Sequence, residues 1–182
     1  MIEKKDPSGR AITRYPVISL GAEYLVMGLL MRRNILAYKA PPNNEGYDLI
    51  CIHPDPKQSG RQIRVQVKSR LATDCDRGFP VKARTFDAFD YLVVVFLNVG
   101  NFSARKRPRA ARDGAAPTEF FTLPSSFIRA NHNATSSWEK VRTRGLDMSV
   151  YRDELGFEQI AKDLGIAYPT KVECAGVRLV DH

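Results

Sequence analysis

Seven consecutive apolar residues, Tyr91-Leu92-Val93-Val94-Val95-Phe96-Leu97, restrict the fold more than any other stretch of the chain. Successive side chains of a strand point to opposite faces, so a strand with one wet face alternates apolar with polar residues. A valine-rich run that does not alternate has no wet face. The sequence therefore predicts a strand at the centre of a sheet with both of its faces covered. Helices on the two faces of such a sheet make an α/β domain.

The neighbouring segments fill in that layout. Apolar residues Leu20, Val26, Met27, Leu30 and Met31 fall mostly on one helical face, which predicts a helix over 20–33 with Ser19 as its cap and Arg32 and Arg33 at its C-terminus. Strands follow at Ile35–Tyr38 and Tyr47–Ile52, separated by Pro41-Pro42 and the turn Asn43-Asn44-Glu45-Gly46. Gln62-Ile63-Arg64-Val65-Gln66-Val67-Lys68 alternates without a slip, with Ile63, Val65 and Val67 on one face. A short extended piece is expected over 79–84, a helical turn over 85–89, a strand over Glu119–Leu123 and a helix over 151–164. Residues 177–180 read as a last strand or a flexible end.

A chain of 182 residues has the length of one domain and needs neither disulfides nor a structural metal to build a core. No shift in composition marks a second domain. The expected organisation is an N-terminal extension over 1–18, a core over 19–125 and a helical appendage over 126–182. No apolar window approaches the ~18 residues of a membrane span. The polar start Met1-Ile2-Glu3-Lys4-Lys5-Asp6 lacks the apolar region of a secretory signal. Cys51, Cys75 and Cys174 form no CxxC pair, and no further Cys or His pair completes a ligand set around Cys51 and His53. A reducing, cytoplasmic setting is expected.

Lys and Arg number 28 against 20 Asp and Glu, a formal net charge of +8, which points to a polyanionic partner. Much of the excess lies in Arg105, Lys106, Arg107, Arg109 and Arg112, a basic loop suited to a phosphate backbone or, more blandly, to water. Arg10, Arg14, Arg32, Arg33, Arg61, Arg64 and Arg70 add charge around the candidate site. No segment has the spacing of a base-reading helix.

Chemistry concentrates in four residues. Glu23 lies on the first helix, Asp48 follows a glycine-containing turn at the start of a strand, and Gln66 and Lys68 share one face of the next strand. Oxygen ligands from adjacent strands suit a hard divalent cation such as Mg²⁺, and a lysine beside them can orient or deprotonate a water and stabilise charge on a phosphate. Each residue also has an ordinary reading: a solvated helix carboxylate, a turn-closing aspartate, the wet face of an edge strand.

At these residues the chain resembles the PD-(D/E)xK nuclease superfamily. The matching stretches are Gly21-Ala22-Glu23-Tyr24-Leu25-Val26, Asn44-Glu45-Gly46-Tyr47-Asp48-Leu49-Ile50 and Ile63-Arg64-Val65-Gln66-Val67-Lys68-Ser69. They are similar above all to the small Holliday-junction-resolvase-like members, as are the runs Phe89–Val95 and Phe120–Pro124 that follow. The resemblance implies a restriction-endonuclease-like mixed central sheet flanked by helices. It implies Asp48 as the principal metal carboxylate, Lys68 as the catalytic lysine, Gln66 in the acidic ligand position, and Glu23 on a second metal or a metal-bound water. The implied activity is Mg²⁺- or Mn²⁺-dependent hydrolysis of double-stranded or branched DNA, and the positive charge of Arg64 and of the 105–112 loop is expected to contact the nucleic acid. Cutting both strands takes two sites, which a homodimer would supply. The chain departs from the pattern at Gln66, whose amide oxygen brings no charge to the cation. Two rival readings stand beside this one. The first is a DNA-binding module of the same fold with a weak or inactive site, and the second is a basic domain that meets an acidic protein.

Overall fold

The computed structural model describes residues 16–42, 44–58, 60–71, 78–99, 117–135, 139–143 and 145–167. The basic loop 105–112, Arg10, Arg14, Cys75, Cys174 and the expected last strand at 177–180 lie outside these residues.

Helix α1 spans Pro16–Met31. It begins earlier than Ser19: a proline suits the first helical turn, where its missing N–H would have no intrahelical acceptor. Its last turn closes on Asn34, which takes a φ of 60°. The Asn34 amide donates to Met31 O and the Ile35 amide to Leu30 O, so two carbonyls left over by the helix are satisfied. The buried stripe of α1 is Ala22, Val26 and Leu30, while Leu20 and Met31, expected on the same face, are 45% and 49% exposed. Four-residue steps from Ala22 keep a side chain on one side of the helix, and Leu20 falls roughly 160° away.

Strands β1 (Leu36–Lys39), β2 (Leu49–Ile52) and β3 (Gln62–Arg70) form two antiparallel hairpins. The chain then makes the short strand β4 (Gly78–Pro80) and a 3-10 turn at Ala83–Thr85 before β5 (Tyr91–Phe96), which runs parallel to β3. Strand β6 (Glu119–Pro124) returns antiparallel to β5. The five-stranded order is β1-β2-β3-β5-β6, the mixed central sheet expected from the sequence. All six residues of β5 are buried, as the apolar run requires. Tyr91, Val93 and Val95 enter a core shared with α1; Leu92, Val94 and Phe96 enter a second one on the opposite face. The middle position of the sheet nevertheless goes to β3, because only β6 follows β5 on its far side.

Helix α2 (Ser125–Ala130) and strands β7 (His132–Asn133) and β8 (Lys140–Arg142) come next. Strands β4, β8 and β7 form a separate three-stranded sheet. Its Phe79 and Val141, together with Ile128 of α2, build the second core. Helix α3 (Asp153–Asp163) places Phe157, Ile160 and Ala161 in the first core beside α1. Arg33, 6% exposed, ties the two helices together. Its guanidinium donates to Glu154 and to Leu29 O, and it lies 4.7 Å from the Phe157 ring centroid. Arg33 is therefore a packing residue and not part of the charge around the site. Among the described residues no helix is long and apolar enough to cross a membrane.

Candidate active site

The turn before β2 is built around Gly46. Its φ of +113° is left-handed, and a Cβ there would collide with the Ala88 methyl. Glycine thus lets the 44–47 turn pack against residues 86–88 and delivers Asp48 to β3. The Asp48 amide donates to Val65 O at 2.9 Å and its carbonyl accepts from the Ala40 amide at 2.9 Å. The register of β2 on β3 begins one residue later, with Leu49 opposite Val65. The side chain adds a further contact, with Asp48 Oδ2 accepting from the Val67 amide at 2.7 Å. One carboxylate oxygen is thereby fixed by backbone.

Alternation along β3 buries Ile63, Val65 and Val67 under α1 and turns Gln66 and Lys68 the other way. Two clefts meet at Lys68. One, of about 290 Å³, is lined by Ser19, Glu23, Asp48, Lys68 and Arg70, so the structure brings three of the four expected site residues together. The other, of about 380 Å³, is lined by Gln66 and Lys68 together with Glu45, Lys82 and Arg84. Burial holds the Lys68 ammonium below the usual lysine range; Asp48 and Glu23 oppose that shift and Arg70 adds to it.

Gln66 Oε1 is buried and has no hydrogen-bond partner among the described residues. Buried carbonyl oxygens are nearly always paired, because an unpaired one loses its water for nothing. A hard cation is one partner that such an oxygen fits. Asp48 supplies a carboxylate of the right kind, and Glu23 a second one on the neighbouring helix. The donor set is nevertheless thin: among the described residues no cluster of three His, Cys, Asp or Glu side chains is placed to hold a metal ion.

Lys39 is the site residue that the sequence did not disclose. From the end of β1 its ammonium donates to Glu23 Oε2 and lies 5.7 Å from the Tyr24 ring centroid. Both partners are largely shielded, with side chains 30% and 19% exposed. Glu23 is thus already paired with a cation from within the chain. No motif signals this, because it depends on how α1 lies across β1.

Arg64 takes a different position from Gln66 and Lys68. Its amide and Nε both donate to Asp90 Oδ2 at 2.7 and 3.1 Å, Nη2 donates to Asp90 Oδ1 at 3.1 Å, and Nη1 donates to Asp87 O at 2.9 Å. These bonds raise its pKa further above the ordinary arginine range. Arg64 is committed to joining β3 to the entrance of β5. Arg61 reaches Asp163 at 3.5 Å, and only Arg70 of the arginines near β3 lines the acidic cleft. Outside the site, Cys51 is a buried thiol on β2, and His53 Nδ1 accepts from the Asp55 amide at 3.0 Å.

No protein-family model and no curated protein sequence matches the chain. Among solved structures it is similar to a bacterial homing endonuclease, I-Ssp6803I, at 16% identity and a TM-score of 0.48, over 85% of this chain and 96% of that one. It is also similar to Hjc of Archaeoglobus fulgidus, a Holliday junction resolvase from an archaeal hyperthermophile, at 15% identity and a TM-score of 0.43, over 84% of this chain and 99% of that one.

Proposed function

We propose that the chain is a PD-(D/E)xK-type endonuclease that hydrolyses DNA phosphodiesters with a divalent cation, in a cytoplasmic setting. The observation that carries this reading is the buried Gln66 Oε1, without a hydrogen-bond partner among the described residues, on the same strand face as the half-buried Lys68, which also lines the cleft of Asp48. Asp48, Gln66 and Glu23 would hold Mg²⁺ or Mn²⁺, which supplies a Lewis acid for the phosphate and lowers the pKa of water.

The chain's own groups do the rest. The Val67 amide orients the Asp48 carboxylate and leaves its second oxygen for the ion. Lys68 is half-shielded from solvent on β3, where its Nζ can donate to a phosphate oxygen or to the attacking water. Its lowered pKa makes that proton easier to exchange than on a surface lysine. Arg70 adds positive charge at the rim. Cleavage of both strands would take two copies of the chain.

A second reading, a DNA-binding module of weak or no activity, has one specific observation in its favour: Glu23 is paired with Lys39, leaving Asp48 as the acidic residue of the cleft without such a partner among the described residues. Supercoiled plasmid and branched DNA, incubated in Mg²⁺ or Mn²⁺ with wild type, Asp48→Ala and Lys68→Ala, separate the two. The nuclease reading expects nicking by wild type and a loss of about a hundredfold or more in each variant. Equal nicking by all three, or none by any, would sink it. Binding without cutting would leave the module, and absence of binding at low salt would leave the basic protein-interaction domain.

A further inference from the structure

The cleft on the far side of Lys68 from Asp48 shares Gln66 and Lys68 with the chemistry above, and it is the more basic of the two. Lys68, Lys82 and Arg84 face it, against the one carboxylate of Glu45. We infer that this cleft is a subsite for the sugar-phosphate backbone of a DNA strand, with Lys82 and Arg84 contacting phosphates adjacent to the one at Asp48 and Lys68. The inference rests on the nuclease-fold reading of that pair and extends it to the path of the substrate.

The wall carrying both cations is pinned in place. The Val81 amide donates to Glu139 O at 2.9 Å, and the Ala83 amide to Glu139 Oε2 at 2.7 Å. His132 Nε2 lies 2.9 Å from Val81 O. Within the turn, the Thr85 amide and hydroxyl both donate to Lys82 O, at 2.9 and 2.8 Å. Glu139 and His132 belong to the β7–β8 segment, so the small sheet acts as the brace of this wall. A fixed backbone presenting long basic side chains suits a repeating polyanion: the backbone sets register and the side chains adapt to each phosphate.

The charges on that wall are available. Arg84 pairs with Glu45 at 3.6 Å, and both side chains are mostly exposed, at 66% and 80%. Such a pair contributes little in water and yields to a phosphate. Lys82 forms no ion pair among the described residues. Because Lys68 lines both clefts, a ligand crossing it occupies both, which favours a polymer over a single small anion.

The test is the salt dependence of DNA binding. Fluorescence anisotropy with a labelled duplex, in Ca²⁺ or without divalent ions, is titrated at several NaCl concentrations. Wild type is compared with Lys82→Ala, Arg84→Ala and, as a control on the opposite face of the sheet, Lys162→Ala. Each cleft variant should lower the slope of log K against log salt by about 0.9, the signature of one lost phosphate contact. The control should leave it unchanged, and Lys82→Arg and Arg84→Lys should restore it. Wild-type binding with slopes unaltered in both cleft variants overturns the subsite while leaving the nuclease reading standing. Absence of duplex binding by wild type overturns both.

Discussion

Gln66 is the residue on which the candidate chemistry turns, and its weakness is electrostatic. An amide oxygen presents a dipole where a carboxylate would present a full charge, and the difference next to a divalent ion is worth several-fold to many-fold in affinity. Gln66→Glu is expected to tighten Mn²⁺ binding by about tenfold or more, equivalent to ~1.4 kcal/mol. Lys39→Gln is expected to act in the same direction by releasing Glu23. Calorimetric titration of the metal-free protein with Mn²⁺ reads both effects, and an unchanged affinity in both variants would remove the cation from this site. The two residues also differ in how visible they were beforehand. Gln66 stood out because it repeats the period-two pattern of β3 and precedes Lys68 by two positions. Lys39 belongs to a pairing across 16 residues that needs α1 and β1 in place before it exists. The ion pair of Arg64 was hidden for the same reason: its partner Asp90 comes alongside only through the parallel register of β3 with β5.

Among the elements, the turn before β2 does more than reverse the chain. Gly46 satisfies two demands at once, a left-handed φ and close contact with Ala88. Gly46→Ala is expected to destabilise the fold by about 2 kcal/mol or more, because the strained backbone and the collision with Ala88 act together. Urea denaturation measures the loss, and a midpoint within error of wild type would show that the turn can be rebuilt without glycine. The longer strands were legible because their patterns are long. The nine residues of β3 and the six of β5 each repeat one rule several times. Strands β4, β7 and β8, of three, two and three residues, are too short to display any period, and they exist only because they pair with one another. The same applies to Leu20 and Met31, which are apolar but lie off the stripe that the sheet selected.

In the whole molecule, two cores sit on opposite faces of one sheet, and the candidate site opens where the strand turned outward between them. The mixed sheet flanked by helices followed from β5 and the order of the motifs. The placement of basic charge did not, because net charge is a sum and carries no coordinates. The buried oxygen of Gln66 now has a thermodynamic consequence. A carbonyl shut away from water without a partner costs roughly 1–3 kcal/mol, so a cation held there as proposed would offset that cost. Heating scans across a Mn²⁺ series should then show the melting temperature climbing with concentration. A hundredfold excess over the dissociation constant should add about 2.7 kcal/mol to the stability of the native form. Asp48→Ala should flatten that climb, and a wild-type midpoint indifferent to Mn²⁺ would mean that the oxygen is satisfied by something other than a cation. On this view ion binding and folding are linked equilibria, and the chain would be most resistant to unfolding under the conditions in which it is equipped to work.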